Sequence, residues 1–190
     1  MAYQPTSFEH LLGTPGFSDD MMSAHFTLYQ GYVTNTNKIL ERLYELEKGS
    51  PEYNELKRRF GWEFNGMRFH ELYFGNMSKS PTVLTDTKDI QSLISSEFGS
   101  IEDFEKEFRA TASMRGIGWV ILARDPATNR LFVTWIGEHD VGHLAGATPL
   151  AVMDVFEHAY IKDYGIKRAD YIDAFWRTMD WSVVEARLRT

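Results

Sequence analysis

Asp154 and His158 stand four residues apart in the run DVFEHAY at 154–160. A carboxylate and an imidazole at that spacing project to one side of a helix. At a strand end running into a helix they can still converge on one point. Aspartate oxygen with imidazole nitrogen suits iron, manganese or zinc better than magnesium or calcium. The spacing is common in chains of this size, so its weight depends on finding further ligands. The other histidines are at 10, 25, 70, 139 and 143. His10 falls in an arm with two prolines and two glycines and is expected to be exposed. His25 and His70 fall on or near the apolar stripes of two helical stretches. They read either as hydrogen-bonded core histidines or as ligands. In the second case three imidazoles and one carboxylate hold an ion with one position left open. His139 and His143 form another i, i+4 pair beside Asp140, either a zinc or iron site or a polar loop after a strand.

The elements that must position these residues follow from capping and periodicity. Ser18, followed by Asp19 and Asp20, begins a long helix with Met22, Phe26, Tyr29, Val33, Ile39 and Leu43 on its inner side. His25, Tyr29 and Tyr32 share that side. Ser50-Pro51 starts a second helix, with Leu56, Phe60, Phe64, Met67 and Phe74 as its stripe. Irregularities are expected near Gly31 and Gly61. A short helix over 88–98 and another started by Ser100 follow, and at 116–118 the period changes. Strands are expected at 119–123, 131–135 and 149–154, the first two joined by the hairpin turn DPATN. Helices at 160–164, 168–180 and 182–188 finish the chain. The expected fold is α+β: an N-terminal antiparallel helical hairpin over residues 1–80, then an α/β half over 81–190 with a three-stranded antiparallel sheet covered by helices.

With no cysteine, the chain has no disulfide, iron–sulfur cluster, Cys-zinc site or thiol nucleophile. A net charge of −7 without a basic run argues against nucleic acid. No stretch of eighteen apolar residues exists to span a membrane, and the start lacks a secretory pattern, so cytoplasmic localisation is expected. Aromatic residues make up 14% of the chain, enough to wall a small dry cavity as well as fill a core.

DVFEHAY resembles the DVWEHAY signature of the iron/manganese superoxide dismutases. GIGW at 116–119 is similar to that family's GSGW, YVTN at 32–35 to its YVTN, and RADYIDAFW at 168–176 to its RPDYLKAIW. HELY at 70–73 resembles the segment of the second ligand, so the resemblance covers nearly the whole chain. It implies one iron or manganese ion per subunit, held by His25, His70, Asp154 and His158. It implies superoxide as the small anionic substrate, with Tyr32 as the gateway tyrosine and Trp119 and Phe156 as aromatic walls. Glu157 matches a glutamate that meets a partner subunit, implying a homodimer or tetramer. Arg168 is the implied cation near the substrate funnel.

Several positions depart from the family pattern. His25 to Tyr32 is one residue shorter than usual, Tyr29 replaces an interface-side histidine, and Ile161 replaces that histidine's usual tyrosine partner. A glutamine that donates to solvent on the metal is missing from both of its usual places. Gly66 occupies one and His139 the other, so His139 is the expected donor. Gly66 points to the manganese arrangement, while a histidine donor leaves the choice of metal open. The implied activity is superoxide dismutation, with Tyr32 and His139 as catalytic residues. The alternative is a dismutase-like metal-binding protein with little redox turnover. A di-iron bundle or zinc hydrolase lacks its Glu-x-x-His or His-Glu-x-x-His motif here.

Overall fold

The computed structural model describes residues 2–189. Ser18 accepts the Met21 N–H and caps helix α1 (Asp19–Glu45), with Asp19 and Asp20 in its first turn. Carboxylates there complement the positive end of the helix dipole. Ser50 caps α2 (Pro51–Gly75) in the same way through the Tyr53 N–H, with Pro51 where no donor is needed. Both helices run unbroken through their interior glycines, so the irregularities expected near Gly31 and Gly61 do not occur. An interior glycine costs about 1 kcal/mol relative to alanine. The packing of a long apolar stripe exceeds that.

Residues 2–17 are more than an extended arm, because they contain a 3-10 turn at Glu9–Leu11 and bury Phe8, Leu11 and Phe17. The Asn37 side chain bonds both the N–H and the carbonyl of Tyr3, and the Tyr29 hydroxyl accepts the Thr6 N–H. His10 is exposed, as expected.

Helices α3 (Asp89–Phe98) and α4 (Ile101–Ala112) lead into strands β1 (Gly118–Arg124), β2 (Leu131–Gly137) and β3 (Thr148–Asp154). The sheet is antiparallel with order β2-β1-β3. α4 covers β1 and β2, and α2 lies against β3. The central strand is buried along nearly its whole length, which its continuous apolar run requires. α5 (Ile161–Tyr164), α6 (Arg168–Thr178) and α7 (Trp181–Ala186) follow. α6 stops two residues before the expected end because Asp180 caps α7. The expected α+β fold is the one observed. No helix among the described residues is long and apolar enough to cross a membrane.

Two details of this frame place the functional residues. Register sets Trp119 of β1 opposite Asp154 of β3 and Ile136 of β2. Gly118 permits that register, since a Cβ there would lie 1.9 Å from the Ile136 carbonyl oxygen. At the end of α2, the buried Asn76 side chain donates to the Val152 carbonyl and accepts the Val152 N–H. That pair of bonds locks the second helix to β3 two residues before Asp154.

Candidate metal centre

His25 of α1, His70 of α2, Asp154 at the end of β3 and His158 in the 3-10 turn Glu157–Ala159 bring their ligand atoms within 4.8 Å of one another. The Asp154/His158 pair is therefore a strand end running into a turn, not one face of a helix. Asp154 Oδ2 lies 3.2 Å from His25 Nε2, 3.7 Å from His70 Nε2 and 3.1 Å from His158 Nε2. Its other oxygen accepts the Phe156 N–H, and its peptide oxygen accepts the Tyr171 hydroxyl at 2.7 Å. Asp154 is thus held through both its side chain and its backbone.

Protonation states suit a cation. His70 Nδ1 donates to the Gly66 carbonyl at 2.5 Å, so the neutral ring keeps its lone pair on Nε2. Burial pushes His25 below the usual histidine range against the pull of Asp154. Burial, then the neighbouring His25, pushes His70 well below it. Burial alone would raise the Asp154 carboxyl, but the imidazoles of His158 and His25 outweigh it and hold it far below the usual carboxylate range. A metal site needs deprotonated donors, and the shifts of His25, His70 and Asp154 all run that way. His25 Nε2 and His70 Nε2 are buried without a hydrogen-bond partner. An orphaned buried polar atom costs about 1–3 kcal/mol, and one cation would satisfy both together with Asp154 Oδ2. The donor set fits a metal ion.

The residues around this cluster form a directed hydrogen-bond chain. Trp119 Nε1–H donates to His139 Nδ1 at 3.0 Å. An indole nitrogen only donates, so Nδ1 carries the lone pair and the neutral imidazole has its proton on Nε2. Burial lowers the His139 pKa to about 4, which keeps the ring neutral near neutral pH. Nε2–H then donates to the Tyr32 oxygen at 2.8 Å and leaves the hydroxyl proton of Tyr32 free. Tyr32 stacks on His70 with ring centroids 5.1 Å apart. Burial first, then Asp154, raises the Tyr32 pKa and keeps it protonated. Phe156 stacks on both His139 and His158, and Trp119 meets His70 edge-on.

The departures also acquire physical reasons. The seven residues from His25 to Tyr32 are two turns of regular helix, so both face the cluster. A Cβ on Gly66 would lie 2.5 Å from Tyr32 Cδ1, so the tyrosine ring occupies the space of any side chain at that position. Tyr29 is buried, and its hydroxyl, besides accepting from Thr6, donates to Glu71 Oε1 at 2.9 Å. Ile161 is exposed. His139 and His143 do not form a second metal pair. Trp119 and Tyr32 use both ring nitrogens of His139, and His143 Nε2 donates to the His139 carbonyl.

Sequence reasoning missed Asn76, Asn65 and the group Arg59, Trp62 and Glu63. Asn65 of α2 donates to the His139 carbonyl and fixes the loop after β2. Arg59 and Glu63 pair on α2 beside Tyr32. Their i, i+4 spacing was readable, but so is that of any surface ion pair.

The model for the C-terminal domain of iron/manganese superoxide dismutases matches residues 86–187. A relative from Aquifex pyrophilus, named an iron superoxide dismutase, is 35% identical over 181 residues, covering 90% of this chain and 84% of its own. One of the same name from Pyrobaculum aerophilum is 34% identical, covering 92% of this chain and 85% of its own. Another from Saccharolobus solfataricus is 32% identical, covering 92% and 87%.

Proposed function

The chain belongs to the iron/manganese superoxide dismutase family, and on that premise we propose that it converts superoxide to oxygen and hydrogen peroxide at one ion held by His25, His70, Asp154 and His158. The observation that carries this reading is the convergence of three imidazoles and one carboxylate, with two orphaned imidazole nitrogens among them. When bound, iron or manganese supplies one-electron redox chemistry, through which two superoxide anions and two protons become one oxygen and one hydrogen peroxide. Tyr32 holds a proton at its hydroxyl above His70, and His139 orients it by donating to its oxygen. Trp119 and Phe156, both buried, close the inner side of that pair, and a drier surrounding strengthens each polar contact there. Iron is the first choice because the relatives above are named as iron enzymes. The glycine that pointed to manganese has a steric cause in Tyr32.

The same reading gives Glu157 a contact with a second copy of the chain. Its side chain is exposed although Phe156 before it and Ala159 after it are buried. It also divides the chain near residue 80 into a helical hairpin and an α/β half, with the family match beginning at residue 86 in support.

A metal-binding protein with little turnover is the competing reading. One observation favours it: His139 has a single ring N–H and directs it to Tyr32, where a glutamine amide carries two donors. Metal-free protein loaded separately with iron and with manganese decides between them, by elemental analysis alongside superoxide consumption. The expected result is about one ion per chain and rapid consumption, with His25→Ala losing both. Stoichiometric metal without turnover would leave the binding reading. Turnover untouched by His25→Ala would overturn the ligand set.

A further inference from the structure

An anionic substrate must reach a chain whose net charge is −7. Charges farther than the Debye length, about 8 Å at physiological salt, are largely screened. The groups at the mouth of the site therefore decide the approach. A surface cavity of about 290 Å³ opens onto Tyr32 and is lined by Asn35, Arg59, Trp62 and Glu63 among others. Arg168, the cation implied by resemblance, is not among its lining residues. Its guanidinium donates to the Gly116 carbonyl and lies over Trp135 and Tyr160.

We propose that Arg59 is the cation that draws superoxide to the mouth of the centre, oriented there by the buried carboxylate of Glu63. This rests on the dismutase reading above. Arg59 Nε and Nη2 both donate to Glu63 Oε1, at 2.9 and 2.7 Å, and Asn35 donates to Oε2 at 3.3 Å. The two side chains differ in depth, with Glu63 5% exposed and Arg59 49%. The carboxylate is the inner end of the pair and the guanidinium the outer end, so an anion arriving from solvent meets the positive end first. Among the described residues Arg59 Nη1 has no hydrogen-bond partner and remains for the cavity. The guanidinium also lies 4.9 Å from the Trp62 ring, which meets His139 edge-on at 4.8 Å. Cation, indole, imidazole and Tyr32 hydroxyl thus form one continuous wall from surface to centre.

Helix stabilisation does not account for the pair. A basic residue four positions before an acidic one is the weaker orientation on a helix, and a surface position would have served as well as a buried carboxylate.

The test compares the metal-loaded protein with its Arg59→Gln and Arg59→Lys variants across ionic strength, from about 10 mM to about 200 mM salt. The native protein should show kcat/KM falling with salt. Arg59→Gln should start roughly threefold to tenfold lower at low salt and respond little to salt. Its kcat and metal content should be unchanged, and Arg59→Lys should restore most of the slope. A second arm uses metal-free protein and collisional quenching of the Trp62 fluorescence, defined by difference against Trp62→Phe. Iodide should quench Trp62 less in Arg59→Gln, while neutral acrylamide quenches both alike. Equal iodide quenching, or an unchanged salt slope in an active Arg59→Gln enzyme, would overturn the proposal. A native protein with full metal and no superoxide consumption would instead overturn the dismutase reading on which it rests.

Discussion

The two halves of the molecule supply the centre in different ways. The helical pair contributes His25, Tyr32 and His70 from regular backbone, two turns apart on α1 and near the end of α2. The sheet half contributes Trp119 as the second residue of β1, Asp154 as the last of β3, and His139 and His158 from the turns beyond β2 and β3. A helix sets the relative positions of its own residues, because its backbone bonds are local. A strand end has no such internal ruler, and its neighbours come from register and from the turn beyond it. His139 shows this best. Glu138 takes a left-handed conformation at φ 51° and its N–H donates to the Ile117 carbonyl. The ring of the next residue then sits between Trp119 and Tyr32.

The largest expected effect separates the helix histidines from the loop histidine. Burial holds His25, His70 and His139 neutral, with folded pKa values below the 6.5 of an unfolded histidine. The unfolded chain then takes up protons that the fold refuses, so stability of metal-free protein is full above about pH 6.5 and falls as pH drops. The His139 share, with its folded value at about 4, is on the order of 3 kcal/mol. Urea denaturation at about pH 7 and about pH 4.5 should show the loss, and His139→Gln should recover much of it while leaving the slope due to the helices. If His139→Gln leaves the pH profile unchanged, the loop histidine is not held as the geometry requires.

Gly66→Ala probes the helical side. The added methyl would meet the Tyr32 ring at 2.5 Å, an overpacking cost of about 1–3 kcal/mol. That acts against a helix-propensity gain of about 1 kcal/mol. Net destabilisation with reduced turnover is expected from denaturation and kinetics. Net stabilisation would show that the contact between α1 and α2 at Tyr32 is looser than described.

The smallest effect concerns the arm. Tyr29→Phe removes one hydrogen bond to Thr6 and one to Glu71, for about 1 kcal/mol. It should speed proteolysis within residues 2–17 and leave metal content unchanged. Loss of metal in this variant would mean that Tyr29 supports the centre directly through its neighbour His70.

How much was legible divides along the same line. Ser18, Ser50, Pro51 and Ser100 start helices where their side chains say they should, and three runs of β-rich residues became three strands. The four candidate ligands were legible only by adding a family resemblance to periodicity, because His25 and His70 on apolar stripes read more readily as core histidines. The tautomer of His139 was not legible at all. It needs the indole of Trp119 on one side and the hydroxyl of Tyr32 on the other, 20 and 107 residues away in sequence. The roles of Asn76 and Asn65 were hidden for the same reason, since an amide has no pattern until its partners are in place.

By itself the sequence determined the inventory: helices with their inner faces, a small antiparallel sheet, no thiol chemistry, and histidines and an aspartate of the right types. Local hydrogen bonding and period alone carry that information. Tertiary structure decided which imidazoles meet Asp154, which way the His139 proton points, and why nothing larger than glycine fits at Gly66. Those outcomes depend on distances between elements far apart in the chain. Packing and strand register set these distances, and no stretch of residues encodes them alone.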